Sequence, residues 1–168
     1  LLVVDDGSTD GTAQLLAGLT DPRVRVLRPP RNEGAAAARN RGIAQAQGEW
    51  LAFQDSDDQW LPRKLEQQLA RADAQTGFVI GGYDVEDGGQ RLPVRSSGDV
   101  QLDALDGWPI ITPVWLVRRK YVTLLGGFRT DYRVFEDWDL ALRLLDVCKA
   151  ASVTGPLLVK QGSSDALC

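Results

Sequence analysis

Apolar residues along the chain fall into short unbroken runs separated by stretches with helical spacing. LLVV (1–4), VRVL (24–27) and WLAF (50–53) are followed by FVIGGYDVE (78–86), VWLV (114–117) and ASVTGPLLV (151–159), and each run predicts a strand. After the first run, Leu15, Leu16 and Leu19 repeat as on a helix that Ser8 or Thr9 can cap and that Asp21 and Pro22 end. The alanine-rich stretch from Ala35 to Gln47 predicts a second helix, with Gly42 a weak point and Gly48 its C-terminal cap. Leu61 to Ala74 predicts a third, with Pro62 in its first turn and Leu65 and Leu69 on one face. DGGQ reads as a turn, Leu92 to Pro109 as a loop layer, RRKYVTLL as a short helix and GGFRTDYRVF as a loop. Asp137 or Asp139 then opens a helix through Leu140, Leu144 and Leu145.

Apolar strands alternating with helices predict an α/β fold, a mostly parallel sheet flanked by helices. Ligands of such sheets bind beyond the carboxyl ends of the strands. Asp5 and Asp6 follow the first apolar run, and Asp55, Asp57 and Asp58 follow the third, so both acidic clusters stand at that end.

Composition narrows the choice of partners. At 168 residues with 43% hydrophobic content, the chain suits one domain with a sizeable core. Its net charge of -4, without long runs of one sign, argues against a nucleic-acid surface. Cys148 and Cys168 are the only cysteines, which gives no disulfide framework and fits a reducing compartment. No apolar run approaches the length of a membrane span and no signal-peptide pattern is present. The lack of any Met, with residue 1 inside an apolar run, marks the sequence as a fragment.

FQDSDDQW (53–60) carries the candidate chemistry. Carboxylates about 4 Å apart repel by roughly 4 kcal/mol at an effective dielectric of 20, which solvent or a cation must offset. Mg²⁺ or Mn²⁺ binds through one or two such carboxylates while substrate phosphates complete its shell, and Asp55 with Asp57 has suitable spacing. Taken alone, the same residues read first as an acidic turn that stops a strand and caps a helix. An EF-hand loop needs Gly at its sixth position, where Trp60 stands, and an aspartyl-phosphate phosphatase needs Thr where Gln59 stands. The loop DDGSTDG lacks the GxGxxG of dinucleotide folds.

Three segments in order, VVDDGSTDGT, RNEGAAAARNRGIAQAQGEWLAFQDSDDQWLPRKLEQQ and GGFRTDYRVFEDWDLALRL, resemble the family 2 glycosyltransferases of the GT-A fold, and together they cover most of the chain. The resemblance implies sugar transfer from a nucleotide-diphosphate sugar donor to a saccharide or lipid-linked acceptor, with inversion at the anomeric carbon. Asp6 is then the carboxylate that meets the donor base. Asp55 lies near the ribose and shares the Mn²⁺ or Mg²⁺ with Asp57, the better metal ligand. Asp58 favours the N-terminus of the following helix. Glu136 and Asp137 match the family's ED pair, with Asp137 the general base and Glu136 and Trp138 on the acceptor side. Arg39 and Asn40 point toward the phosphates or, for Arg39, simply into solvent.

Under the same resemblance, the first strand and helix of the fold are missing. Residues 1–92 form the nucleotide-binding part of a single domain and 93–168 the acceptor-binding and catalytic part. Arg129 stands where the family carries an acidic residue, no His is available as a further metal ligand, and KQGSSDALC departs from the usual continuation. The expected location is the cytoplasm, or the cytoplasmic face of the membrane where segments outside this chain attach it. A nucleotide-sugar or cation-binding module without turnover is the alternative.

Overall fold

The computed structural model describes residues 1–87, 90–94, 99–105 and 110–161. The predicted DGGQ turn at Gly88 and Gly89, parts of the loop layer, Cys168 and the KQGSSDALC tail beyond Gln161 lie outside them. β1 (Leu2–Val4), α1 (Thr12–Ala17), β2 (Arg25–Leu27), α2 (Ala35–Gln45) and β3 (Trp50–Ala52) follow the predicted alternation. β4 (Gln59–Trp60), α3 (Lys64–Leu69), β5 (Thr76–Asp87), β6 (Gln90–Val94) and α4 (Val100–Leu105) come next. A 3-10 turn at Thr112–Val114 leads into β7 (Leu116–Arg118), α5 (Arg119–Leu124), α6 (Glu136–Val147) and β8 (Lys149–Gln161).

The strands form two sheets. β1 and β2 pair in parallel, while a six-stranded sheet runs β3-β7-β5-β8-β4 with β6 on β5. The α/β class stands, but that larger sheet is mixed rather than mostly parallel. β7 is antiparallel to both β3 and β5, β4 is antiparallel to β8, and only β5 and β8 run parallel within it. Short returning strands can pair antiparallel without the long crossover that a parallel neighbour needs.

Several local expectations change. The first helix starts at Thr12 with Gly11 as its N-cap, too far along the chain for Ser8 or Thr9 to cap it, and the Thr12 N–H is donated to Asp10 Oδ1 (2.9 Å). α2 stops at Ala46 in an extended conformation, so Gly48 is no cap. The loop layer contains β6 and α4, with Pro93 opposite Asp84 on an edge strand, where a missing N–H is tolerated.

α3 turns a different face inward from the predicted one: Leu65 and Leu69 are exposed, and Lys64 and Gln68 are buried. Gln68 Nε2 donates to the carbonyls of Val79 (3.1 Å) and Val114 (2.8 Å), and Lys64 Nζ donates to Gln68 Oε1 (2.8 Å) beneath the Trp60 ring. Burial pushes the Lys64 ammonium from 10.5 down to about 7. Below pH 7 the group is protonated in both states, and folding carries the whole desolvation penalty. Between about 7 and 10.5 only the unfolded chain holds the proton, so stability rises with pH and the penalty is gone above 10.5. Lys64→Met is expected to remove that rise and to gain stability at pH 6, by about 1.4 kcal/mol per unit of pKa depression before the loss of the Gln68 bond is subtracted. Urea melts from pH 6 to 10 check this, and a wild-type stability flat across the window would contradict it.

The core reaches the carboxyl ends of the strands through aromatic rings. Trp115 has no exposed surface, stacks on Phe128 (5.8 Å between centroids) and receives the edges of Phe78 and Phe53. Phe53 lies two residues before Asp55, so the acidic turn stands on the edge of this cluster.

Candidate active site

Helices α2 and α6 are joined by the turn Leu125–Phe128. Asn40 of α2 accepts the Phe128 N–H through Oδ1 and donates to the Phe128 carbonyl through Nδ2, both at 2.8 Å. Arg143 of α6 donates to the carbonyls of Leu125 and Gly127, each at 3.0 Å, while its Asp139 pairing keeps the guanidinium aligned. Asn40 therefore holds protein backbone rather than facing phosphates.

Arg39, the neighbouring residue on α2, joins the two acidic motifs. Its Nη2 lies 3.0 Å from Asp55 Oδ1 and its Nη1 lies 2.9 Å from Glu136 Oε1. Only 16% of the Arg39 and Glu136 side chains and 31% of Asp55 is exposed, so this bridge is sheltered enough to matter electrostatically. Arg39 is not a solvated helix residue. Its signal in the sequence was position: Ala36, Arg39, Asn40 and Ile43 share one helix face, and Ala36 and Ile43 pack on the core.

Tyr83 of β5 feels the charges of two of the acidic residues. It is buried, and burial together with the negative charges of Asp58 and Asp137 pushes its phenol up to about 12. Asp137 is raised above 3.8, mainly by burial and further by the Glu136 carboxylate, against the pull of the Trp138 N–H that its Oδ1 accepts at 2.8 Å. Trp138 sits beside the Phe135 ring, at 5.9 Å between centroids. Phe135 is left-handed (φ 65) and caps α6, and residues 129–135 before the helix are all exposed.

Asp58 does not serve the N-terminus of α3, which begins only at Lys64. Its side chain is fully buried, 3.8 Å from Lys160 Nζ, because β4 pairs Gln59 with Val159 and so carries Asp58 onto β8. Burial pushes its carboxyl up to about 6. Asp57 points outward at the tip of the turn and makes no ion pair or hydrogen bond among the described residues. Asp6 accepts the N–H groups of Glu33 (3.0 Å) and Gly34 (2.7 Å), fixing the end of β1 to the start of α2. A carboxylate has about four acceptor positions, so Asp6 keeps capacity for a ligand donor.

Among the described residues no three acidic, His or Cys side chains cluster as a self-sufficient metal cage. A Mg²⁺ or Mn²⁺ ion that takes phosphates and water for the rest of its shell needs no such cage. The open carboxylate of Asp57, with Asp55 two residues before it, fits that kind of site.

The α/β fold, with its sheets flanked by helices, is that of GT-A glycosyltransferases. The chain belongs to glycosyl transferase family 2, which it matches over residues 1–129. It is 45% identical over 147 residues to an uncharacterised glycosyltransferase of Haemophilus influenzae, covering 82% of this chain and 58% of that protein. It is 38% identical over 86 residues to the Escherichia coli UDP-Glc:alpha-D-GlcNAc-diphosphoundecaprenol beta-1,3-glucosyltransferase WfgD, covering 51% of this chain and 34% of the relative. The mannosyltransferase PcManGT from Pyrobaculum calidifontis, solved with GDP-Man and Mn²⁺, shares the fold at a TM-score of 0.74 and 19% identity, over 98% of this chain and 48% of the other. The chain thus spans between about a third and three fifths of these proteins.

Proposed function

We propose that the protein moves a sugar from a nucleoside-diphosphate sugar to an acceptor hydroxyl with inversion at the anomeric carbon. The observation that supports this most is the Arg39 bridge, which brings the first Asp of the DSD turn and the Glu of the ED pair to one guanidinium although they lie far apart in sequence. Asp6 receives an N–H from the donor base, Asp55 lies at the ribose, and Asp57 with Asp55 holds the divalent ion. Mn²⁺ or Mg²⁺ held there would offset the negative charge that grows on the leaving diphosphate.

Asp137 removes the proton from the acceptor hydroxyl. Burial raises its pKa, which makes it a stronger base than an ordinary carboxylate. Glu136 and Trp138 border the acceptor. Residues 1–92 supply the donor half of the site and 93–168 the acceptor half. The diphosphoundecaprenol-linked substrate named for the E. coli relative supports a lipid-linked saccharide acceptor, handled at the cytoplasmic face of a membrane. No helix among the described residues is long and apolar enough to cross a membrane, so attachment would come from another segment.

A thermal-shift screen against UDP, GDP and dTDP sugars, with and without Mn²⁺, tests the reading. One donor is expected to stabilise the fold by about 2.7 kcal/mol at a hundred times its Kd, and more weakly without the metal. No response to any donor would remove the support for a transferase.

A further inference from the structure

Arg39 presents a conflict that the proposed chemistry must resolve. One arm of its guanidinium holds Asp55 (3.0 Å), a carboxylate assigned above to donor and metal, and the other holds Glu136 (2.9 Å). A guanidinium does not lose its proton in proteins, so it cannot relieve repulsion from a nearby divalent cation by becoming neutral. Asp57 has no such partner and lies open to solvent. A cation entering at the turn therefore meets one free carboxylate and one already neutralised by a fixed positive charge.

We propose that Arg39 makes this site select the metal–diphosphate complex over the bare metal ion. In the ligand-free protein Arg39 stands in for the cation at Asp55 and repels any cation that arrives alone. A cation that arrives with a diphosphate brings its own negative charge, which offsets Arg39 and gives the guanidinium a new acceptor in place of Asp55. Glu136 sets the strength of the effect, because its carboxylate cancels part of the charge of Arg39. The consequence is positive coupling between metal and nucleotide, equal in both directions by linkage. The inference rests on the reading of Asp55 and Asp57 as metal carboxylates, and Arg39 acts through Asp55 as a positioning residue.

The test is Mn²⁺ affinity of the protein, followed by the electron paramagnetic signal of free Mn²⁺, with and without UDP or GDP. Removing a unit charge from the neighbourhood of a divalent ion in a water-like dielectric corresponds to roughly a tenfold change in its affinity. Arg39→Gln is accordingly expected to tighten bare Mn²⁺ binding about tenfold and to shrink the nucleotide coupling by a similar factor. Arg39→Lys, which keeps the charge, stays near the wild type. Glu136→Gln, which leaves Arg39 less neutralised, weakens bare Mn²⁺ binding. Opposite shifts from two neighbouring substitutions do not arise from a folding defect. Unchanged or weaker bare Mn²⁺ binding in Arg39→Gln overturns the proposal while the metal assignment survives. Mn²⁺ binding unaffected by Asp57→Asn removes the metal assignment itself, and the inference with it.

Discussion

Asp137→Asn is expected to lower sugar transfer by about 100- to 10,000-fold, the range that a positioned general base contributes, while the affinities for donor and Mn²⁺ stay within about twofold of the wild type. The amide keeps the shape of the carboxylate and can still accept the Trp138 N–H through its oxygen, so the start of α6 should hold its place. What is lost is the proton acceptor. The wild-type pH–rate profile carries a second mark of the same group. A base works only when deprotonated, and burial raises the Asp137 carboxyl, so activity should rise with pH through a limb displaced upward from that of an ordinary Asp. In the Asn variant, residual activity should lack that limb. Transfer that persisted at wild-type rates would take the base assignment away from Asp137. Intact donor binding with no transfer by either protein would instead favour a binding module without turnover.

The sequence made the first half of the fold readable because its strands are unbroken apolar runs bounded by strong turn residues. LLVV, VRVL and WLAF contain β1, β2 and β3, and the alanine-rich stretch contains α2. Strand direction is not written in such runs, since a buried strand looks alike in either orientation, and the mixed sheet was therefore missed. β4 has only two residues, Gln59 and Trp60, too few to show a period. α3 misled for a physical reason: its inward positions are polar, and Lys64 and Gln68 are accommodated by backbone carbonyls that belong to Trp115, Val79 and Val114, distant in sequence. The acidic motifs were legible as motifs. Their mutual geometry was not, because the inward face of α2 can be read from its spacing but the two acidic partners that Arg39 meets there are fixed only when the elements pack.

The packing that aligns α2 with α6 makes a strong prediction at Gly127. Its φ of +79 is unfavourable for an L side chain, and a Cβ there would overlap Asn40 Oδ1, the acceptor of the Phe128 N–H. Gly126 has nearly the same backbone (φ +76), but a Cβ there meets nothing within 4 Å. The two glycines therefore separate conformational strain from steric displacement. Gly126→Ala should cost about 1 kcal/mol, from the left-handed conformation alone. Gly127→Ala should cost about 3 kcal/mol, because the same strain is joined by disruption of two hydrogen bonds worth about 1 kcal/mol each. Urea melts measure both. In a cycle with Asn40→Ala, Gly127→Ala should be sub-additive, since the clash and the bonds share one side chain. The functional consequence follows from the neighbouring residue: when Asn40 gives way, Arg39 is no longer set between Asp55 and Glu136, and Gly127→Ala should lose transfer activity beyond its loss of folded protein, whereas Gly126→Ala should not. Equal destabilisation by the two alanines would show that the Asn40 clamp contributes little to holding α2 against the Leu125–Phe128 turn.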